Sequence, residues 1–147
     1  FQCFLSRRIC LPEYDYLIAP EATAIPLLYE MARQSGAEKY FLARKGPKAY
    51  MSGVFEVHVK SITTMDVQRL VIDTTDAALI KGKRILIIDD VISTGESLHA
   101  MEELVTRAGG SIVGRMAVLA EGAAQKRDDI IVLGDLPLFN PDGTVKA

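Results

Sequence analysis

Asp89 and Asp90 stand directly after the apolar run Ile85-Leu86-Ile87-Ile88 and directly before Val91-Ile92-Ser93-Thr94-Gly95-Glu96-Ser97. Two neighbouring carboxylates are costly to bury unless cations or hydrogen-bond donors meet them. A ligand rich in hydroxyls meets that need. So does Mg²⁺, which binds one or two carboxylates and completes its shell with water and phosphate oxygens. Further along, Ser93, Thr94 and Ser97 bring hydroxyls, Gly95 allows a backbone turn that other residues resist, and the helix start brings free N–H groups. A helix dipole contributes only roughly 0.3–1 kcal/mol to a nearby anion, so hydroxyls and amides have to act together. The order is thus hydroxyl acceptors first and a monophosphate cradle second. A ribose 5-phosphate fits it.

Such a segment needs a sheet edge and a helix to present it. Arg84–Ile88 is the most apolar run of the chain, as a central parallel strand should be. Tyr16–Ala19 reads as a buried strand ending at Pro20, and Lys39–Ala43 as a second strand. Between them Leu27, Leu28, Met31 and Ala32 fall at helical spacing, with Pro26 in the first turn and Gly36 as a stop. Val54–Ile62 and Val67–Ile72 alternate in the manner of half-exposed strands and predict a hairpin. Leu98, Met101, Leu104, Val105 and Ala108 mark one helical face closed by Gly109-Gly110, and Ser111–Leu119 and Ile130–Leu133 supply two more strands. Strands alternating with helices predict an α/β fold with a mainly parallel central sheet flanked by helices. In such sheets ligands sit outside the carboxyl ends of the strands, where Asp89 and Asp90 are expected.

Ser93–Ser97 alone would also serve as a plain helix cap. The apolar strand and the two aspartates in front set it apart. Ile85–Ser97, ILIIDDVISTGES, resembles the signature of the type I phosphoribosyltransferases. The resemblance implies that Asp89 and Asp90 hold the ribose hydroxyls of 5-phosphoribosyl-1-pyrophosphate (PRPP), and Mg²⁺ through water. It further implies that Ser93, Thr94, Gly95, Glu96 and Ser97 hold the 5-phosphate. Asp15–Pro26 is similar to the family's first strand and pyrophosphate loop, closest to the adenine and xanthine branch, which gives pyrophosphate contacts to Glu21, Ala22 and Thr23. Two positions depart from that branch: Ala24 stands where Gly is usual, and Thr23 where adenine enzymes commonly carry Arg. Arg44-Lys45 matches the pair that ends the family's second strand beside pyrophosphate, with Lys48 close behind. Gly46 to about Met65 corresponds to a flexible β-hairpin hood loop, where Tyr50, Ser61, Thr63 and Thr64 would be hydrogen-bonding residues. Hypoxanthine-guanine enzymes usually place Asp where this chain has Ser93. Orotate enzymes carry a longer Arg-Lys-rich loop ending in His-Gly.

The function implied is transfer of phosphoribose from PRPP to a purine base of the adenine or xanthine type, releasing pyrophosphate. Positioning and charge stabilisation should dominate such a displacement, and no side chain is singled out as the catalytic group. His58, on a strand, and His99, on the helix after the loop, read as structural or surface residues. Leu136–Phe139 is a candidate cover for a planar base, equally readable as edge packing. The alternative is a regulator with the same fold that senses PRPP or a nucleotide without turnover. A phospho-acceptor receiver domain also places acidic residues after an apolar strand, but near the start of the chain and without a Ser93–Ser97 counterpart.

The 147 residues argue for a single domain. A net charge of -2 gives no general attraction to nucleic acid or to an anionic membrane, so an anionic ligand needs a local site. No apolar run approaches the roughly 20 residues of a membrane-spanning helix. Cys3 and Cys10 match no metal or redox spacing and read as reduced thiols, hence a cytoplasmic setting. The first residue is Phe1 rather than Met, which leaves room for residues upstream that would complete a base-covering hood. A homodimer is expected from the resemblance and from the apolar hairpin.

Overall fold

The computed structural model of the protein describes residues 10–60 and 67–146. Strands β1 (Tyr16–Pro20), β2 (Phe41–Ala43), β5 (Arg84–Ile92), β6 (Ser111–Glu121) and β7 (Ile131–Leu136) form one sheet in the order β2-β1-β5-β6-β7. Every neighbouring pair in it is parallel. β5 is the central strand, and Ile85, Leu86, Ile87 and Ile88 are no more than 1% exposed. Alternation along it splits the core into two layers. Ile85 and Ile87 pack with Leu98, Met101, Leu104 and Val105 of helix α3 (Glu96–Arg107), whereas Leu86 and Ile88 pack with Leu28, Met31 and Ala32 of helix α1 (Ile25–Ser35). A strand covered on both faces has to be apolar on both. That is why this run shows no polar alternation.

The two alternating runs form an antiparallel hairpin, β3 (Val54–Lys60) and β4 (Val67–Asp73), separate from the large sheet. Val57 faces Leu70 across it, and both are buried against the α3 layer. Arg44 and Val71 exchange two backbone hydrogen bonds, of 2.8 and 2.7 Å, which tie the hairpin to the end of β2. At the hairpin's base the Asp73 carboxylate caps helix α2 (Thr74–Ile80), accepting the N–H groups of Thr75 at 3.0 Å and of Ser52 at 2.8 Å. Ser61, Thr63 and Thr64 lie outside the described residues.

Several boundaries differ from the sequence reading. The strand expected to stop at Ile88 runs on to Ile92, and the helix begins at Glu96. The cause is β6, long enough to pair Asp89 with Ala117, Val91 with Leu119 and Ile92 with Ala120. Asp89 therefore lies inside the strand, and the loop shrinks to Ser93-Thr94-Gly95. β2 starts only at Phe41, and β7 runs to Leu136. Helix α2 and the 3-10 turn Gly122–Lys126 were not foreseen. Cys10 is an exposed free thiol, and Cys3 lies outside the described residues. Among the described residues no helix is long and apolar enough to cross a membrane.

Candidate functional site

Pairing with β6 carries Asp89 into the sheet, where it is the one buried charged residue among those described, 9% exposed. Its Oδ1 accepts the Asp90 N–H at 2.9 Å. Burial, and then the neighbouring Asp90 carboxyl, push the Asp89 carboxyl up to about 7. Burial opposes ionisation of Asp90 as well, but hydrogen bonds from Asp89 and from the Thr23 hydroxyl outweigh it and hold Asp90 below its ordinary value. Of the two, Asp89 therefore holds its proton more tightly and Asp90 carries its charge more readily. This is a site prepared for donors or a cation.

The loop beyond is bent at Gly95, with φ +83° in the left-handed region. That conformation costs an L-residue roughly 1–2 kcal/mol. Gly95 is also the residue before α3, so no side chain caps the helix there. Thr94 Oγ1 accepts the Glu96 N–H at 3.4 Å, a long contact. A small cleft of about 100 Å³ is lined by Ser93, Thr94, Gly95 and Ser97 together with Asp89. The five residues expected to hold a phosphate thus follow one turn and the first helical residues.

Across the sheet edge, β1 delivers Glu21 to the end of β2. Glu21 Oε2 accepts from Arg44 Nη1 at 3.0 Å, and Oε1 accepts the Lys45 N–H at 2.7 Å. Burial works against its charge, but these two donors prevail and hold the carboxyl below its ordinary value. Ala24 is fully buried at φ -77°, in right-handed backbone, so this loop has no need of the glycine usual there. Ala22 is exposed.

A cavity of about 540 Å³ joins these pieces, with Glu21, Thr23 and Lys45 on one side and Asp89, Asp90 and Ser97 on the other. Ala22, Arg44 and Lys48 do not line it. Arg44 is engaged by Glu21 and donates from Nε to the Tyr50 hydroxyl at 3.2 Å, and Lys48 is exposed. Leu138 and Phe139 are exposed away from the cavity, where Phe139 bridges to Val145. His58 and His99 are exposed on the hairpin and on α3.

The sequence reading missed one wall of the cavity, Val67 to Leu70 of β4. Arg69 is part of it, held by Glu56 Oε2 at 2.8 Å from Nε. Only the hairpin pairing, which sets Arg69 opposite His58, brings it to the site. Alternation foretold the strand but not which loop it would overhang.

A parallel sheet whose strand ends gather a carboxylate pair, a hydroxyl-rich turn at a helix start and a basic strand end defines a class of α/β proteins with the polar groups collected along one edge of the sheet. The chain belongs to the phosphoribosyl transferase domain family, whose match spans residues 12–136. It is 35% identical over 109 residues to an adenine phosphoribosyltransferase of Thermotoga petrophila, covering 74% of this chain and 60% of the relative. An orotate phosphoribosyltransferase of Caldanaerobacter subterraneus subsp. tengcongensis is 30% identical over 100 residues, covering 68% of this chain and 41% of the relative. The chain therefore spans about half the length of these curated relatives. In fold it is similar to the adenine phosphoribosyltransferase of Thermoanaerobacter pseudethanolicus, with a TM-score of 0.73 at 23% identity over 90% of this chain and 77% of that one.

Proposed function

We propose that the chain, as a single domain, is a phosphoribosyltransferase that joins PRPP to a purine base of the adenine or xanthine type, giving a nucleoside monophosphate and pyrophosphate. The observation that carries this is the convergence of Asp89-Asp90, Ser97, Thr23, Glu21 and Lys45 on one cavity of about 540 Å³. Asp89 and Asp90 accept hydrogen bonds from the ribose hydroxyls. Ser93, Thr94, Gly95, Glu96 and Ser97 cradle the 5-phosphate. Glu21, Thr23 and Lys45 meet the pyrophosphate from the cavity wall, and Ala22, Arg44 and Lys48 support it from just outside that wall, Arg44 through the loop it braces. The C1–oxygen bond to pyrophosphate breaks with its electron pair going to pyrophosphate, a bond from C1 to a ring nitrogen of the base forms, and that nitrogen's proton passes to pyrophosphate or solvent. The protein's part is to hold C1 between them and to exclude water.

Among the described residues no three His, Cys, Asp or Glu side chains cluster as a metal cage. The donor set is instead two adjacent carboxylates, the more buried of them raised by its neighbour and by burial, which suits Mg²⁺ carried in with PRPP. Asp89 and Asp90 would hold that ion through water, and its chemistry would be to neutralise the departing pyrophosphate. A homodimer in the cytoplasm is the setting we expect, and light scattering that reports a monomer at micromolar concentration rejects the dimer.

The test is pyrophosphate release from PRPP and Mg²⁺ with adenine, xanthine, hypoxanthine, guanine, uracil and orotate in turn. Turnover with adenine or xanthine is expected, by a wide margin over the pyrimidines, because a base with the wrong exocyclic group leaves buried polar partners unpaired. Turnover confined to orotate or uracil refutes the purine assignment. PRPP binding with no turnover on any base favours the sensing alternative.

A further inference from the structure

We infer that Arg127, fixed by Asp129, is a positioning residue for the turn Ser93-Thr94-Gly95 and governs its affinity for the sugar phosphate. The inference rests on the phosphate-binding role proposed above for that turn. Arg127 directly follows the 3-10 turn after β6. Its guanidinium is forked onto Asp129, with Nε to Oδ1 at 2.8 Å and Nη2 to Oδ2 at 2.6 Å. A bidentate pair fixes the plane of an arginine as a single contact does not.

The fork onto Asp129 uses Nε and Nη2 and leaves Nη1 to point elsewhere. It reaches the turn. A Cβ built on Gly95 would lie 3.0 Å from Nη1, which sets this nitrogen within about 4.5 Å of the Gly95 Cα, given a C–C bond of roughly 1.5 Å. The guanidinium therefore occupies the space that a side chain at position 95 would take. It shares with Thr94, Gly95 and Glu96 the wall of a second cleft, of about 220 Å³, between α3 and the hairpin.

Two consequences follow for a phosphate. The turn is backed by a rigid planar group, so its left-handed conformation is held before the ligand arrives. That removes part of the ordering cost of binding. A fixed positive charge also lies behind amides that would face a dianion, at a range where partly buried charges still interact. The other charged and titratable groups around this cleft are Lys60, Glu96, His99 and Glu102, and Glu102 is paired with Arg115. Arg127 is the cation in contact with the glycine itself.

The test is calorimetric titration of Arg127→Gln and Asp129→Asn with ribose 5-phosphate and, separately, with pyrophosphate plus Mg²⁺. Steady-state rates with PRPP run alongside. Arg127→Gln should weaken ribose 5-phosphate about tenfold and raise KM for PRPP by a similar factor, with kcat and pyrophosphate affinity within twofold of wild type. Asp129→Asn, which keeps the charge but loosens the fork, should move the same quantities in the same direction by about threefold. Arg127→Lys, which keeps charge without the fork, should recover part of the loss. A folded Arg127→Gln protein with unchanged ribose 5-phosphate affinity overturns the inference, and so does equal weakening of both ligands, the mark of a merely structural role. If Arg127→Gln fails to fold, Asp129→Asn decides by the same criterion. Wild-type protein that binds pyrophosphate but no ribose 5-phosphate would overturn the phosphate assignment itself, and the inference with it.

Discussion

Replacing Asp89 with Asn should make the ligand-free protein more stable while weakening its binding of PRPP. Asn is close in shape to a protonated Asp. Its oxygen can still accept the Asp90 N–H that now lies 2.9 Å from Oδ1, and its amide can donate to the Asp90 carboxylate as the Asp89 proton does. What it lacks is the ability to ionise in a buried place. The Asp89 carboxyl is raised from 3.8 to about 7, by burial first and by Asp90 second. Because the folded protein holds this proton more tightly than the unfolded chain, stability is complete below about pH 4 and declines as pH rises through 7. At about 1.36 kcal/mol per pKa unit, that gap corresponds to roughly 4 kcal/mol above pH 7. Some hydration survives at the strand end, where 9% of the residue is exposed, so the expected gain for Asp89→Asn at pH 8 is about 2–4 kcal/mol. For a chain of this size it corresponds to roughly 5–15 °C in Tm. Urea denaturation of both proteins at pH 4, 5, 6, 7 and 8 in a chelator measures it. The two stabilities should nearly coincide at pH 4 and separate steadily toward pH 7. A difference that does not vary with pH, or a variant less stable than wild type at pH 8, refutes the reasoning.

The double variant Asp89→Asn/Asp90→Asn should weaken PRPP binding at least a hundredfold by calorimetry with the far-UV spectrum unchanged, since neither hydroxyl acceptor can then ionise; unaltered affinity contradicts the ribose assignment. Gly95→Val places a β-branched residue at φ +83° against the Arg127 guanidinium, and should cost about 2 kcal/mol or more of stability and most of the ribose 5-phosphate affinity. Normal binding by that variant counts against the cradle. Glu21→Gln should cost about 1–2 kcal/mol at pH 7, because the charge-assisted bonds from Arg44 and Lys45 weaken. Those donors, prevailing over burial, hold the Glu21 carboxyl below its ordinary 4.5, so the stabilisation is present above pH 4.5 and lost as pH falls through the lower folded value. Urea curves for the two proteins should therefore converge as pH falls through that lowered value.

The central strand and its loop were legible because several local signals agreed there: unbroken branched apolar residues, a carboxylate pair, a glycine and a helix start. The end of that strand was not, since Asp89 to Ile92 join it only through β6, whose length depends on a partner distant in sequence. Helix α2 was overlooked for a different reason. It is short, and its start is fixed by the Asp73 cap that also collects Ser52, a long-range contact that composition does not announce. Arg44-Lys45 was recognisable as a basic pair. That one member braces Glu21 while the other lines the cavity follows from where β1 and β2 end in space. Arg69 and Arg127 carried no motif, and each becomes relevant only through an acidic neighbour, Glu56 or Asp129, that fixes its guanidinium.

The same geometry explains why a protein would retain a buried carboxyl that lowers its own stability. Asp89 sits in the best-paired strand of the sheet, where apolar neighbours on both faces offset the cost of one polar group. In return the carboxyl is held rigidly by the strand at its root and by the Asp90 N–H at its tip. A group on a mobile loop would be hydrated and cheap to ionise, but it would have to be ordered and desolvated at each binding event. Here that free energy is already spent in folding. A ligand that supplies hydroxyl donors, or an ion, would recover it on arrival, so binding at this pair should strengthen as pH rises through the Asp89 value.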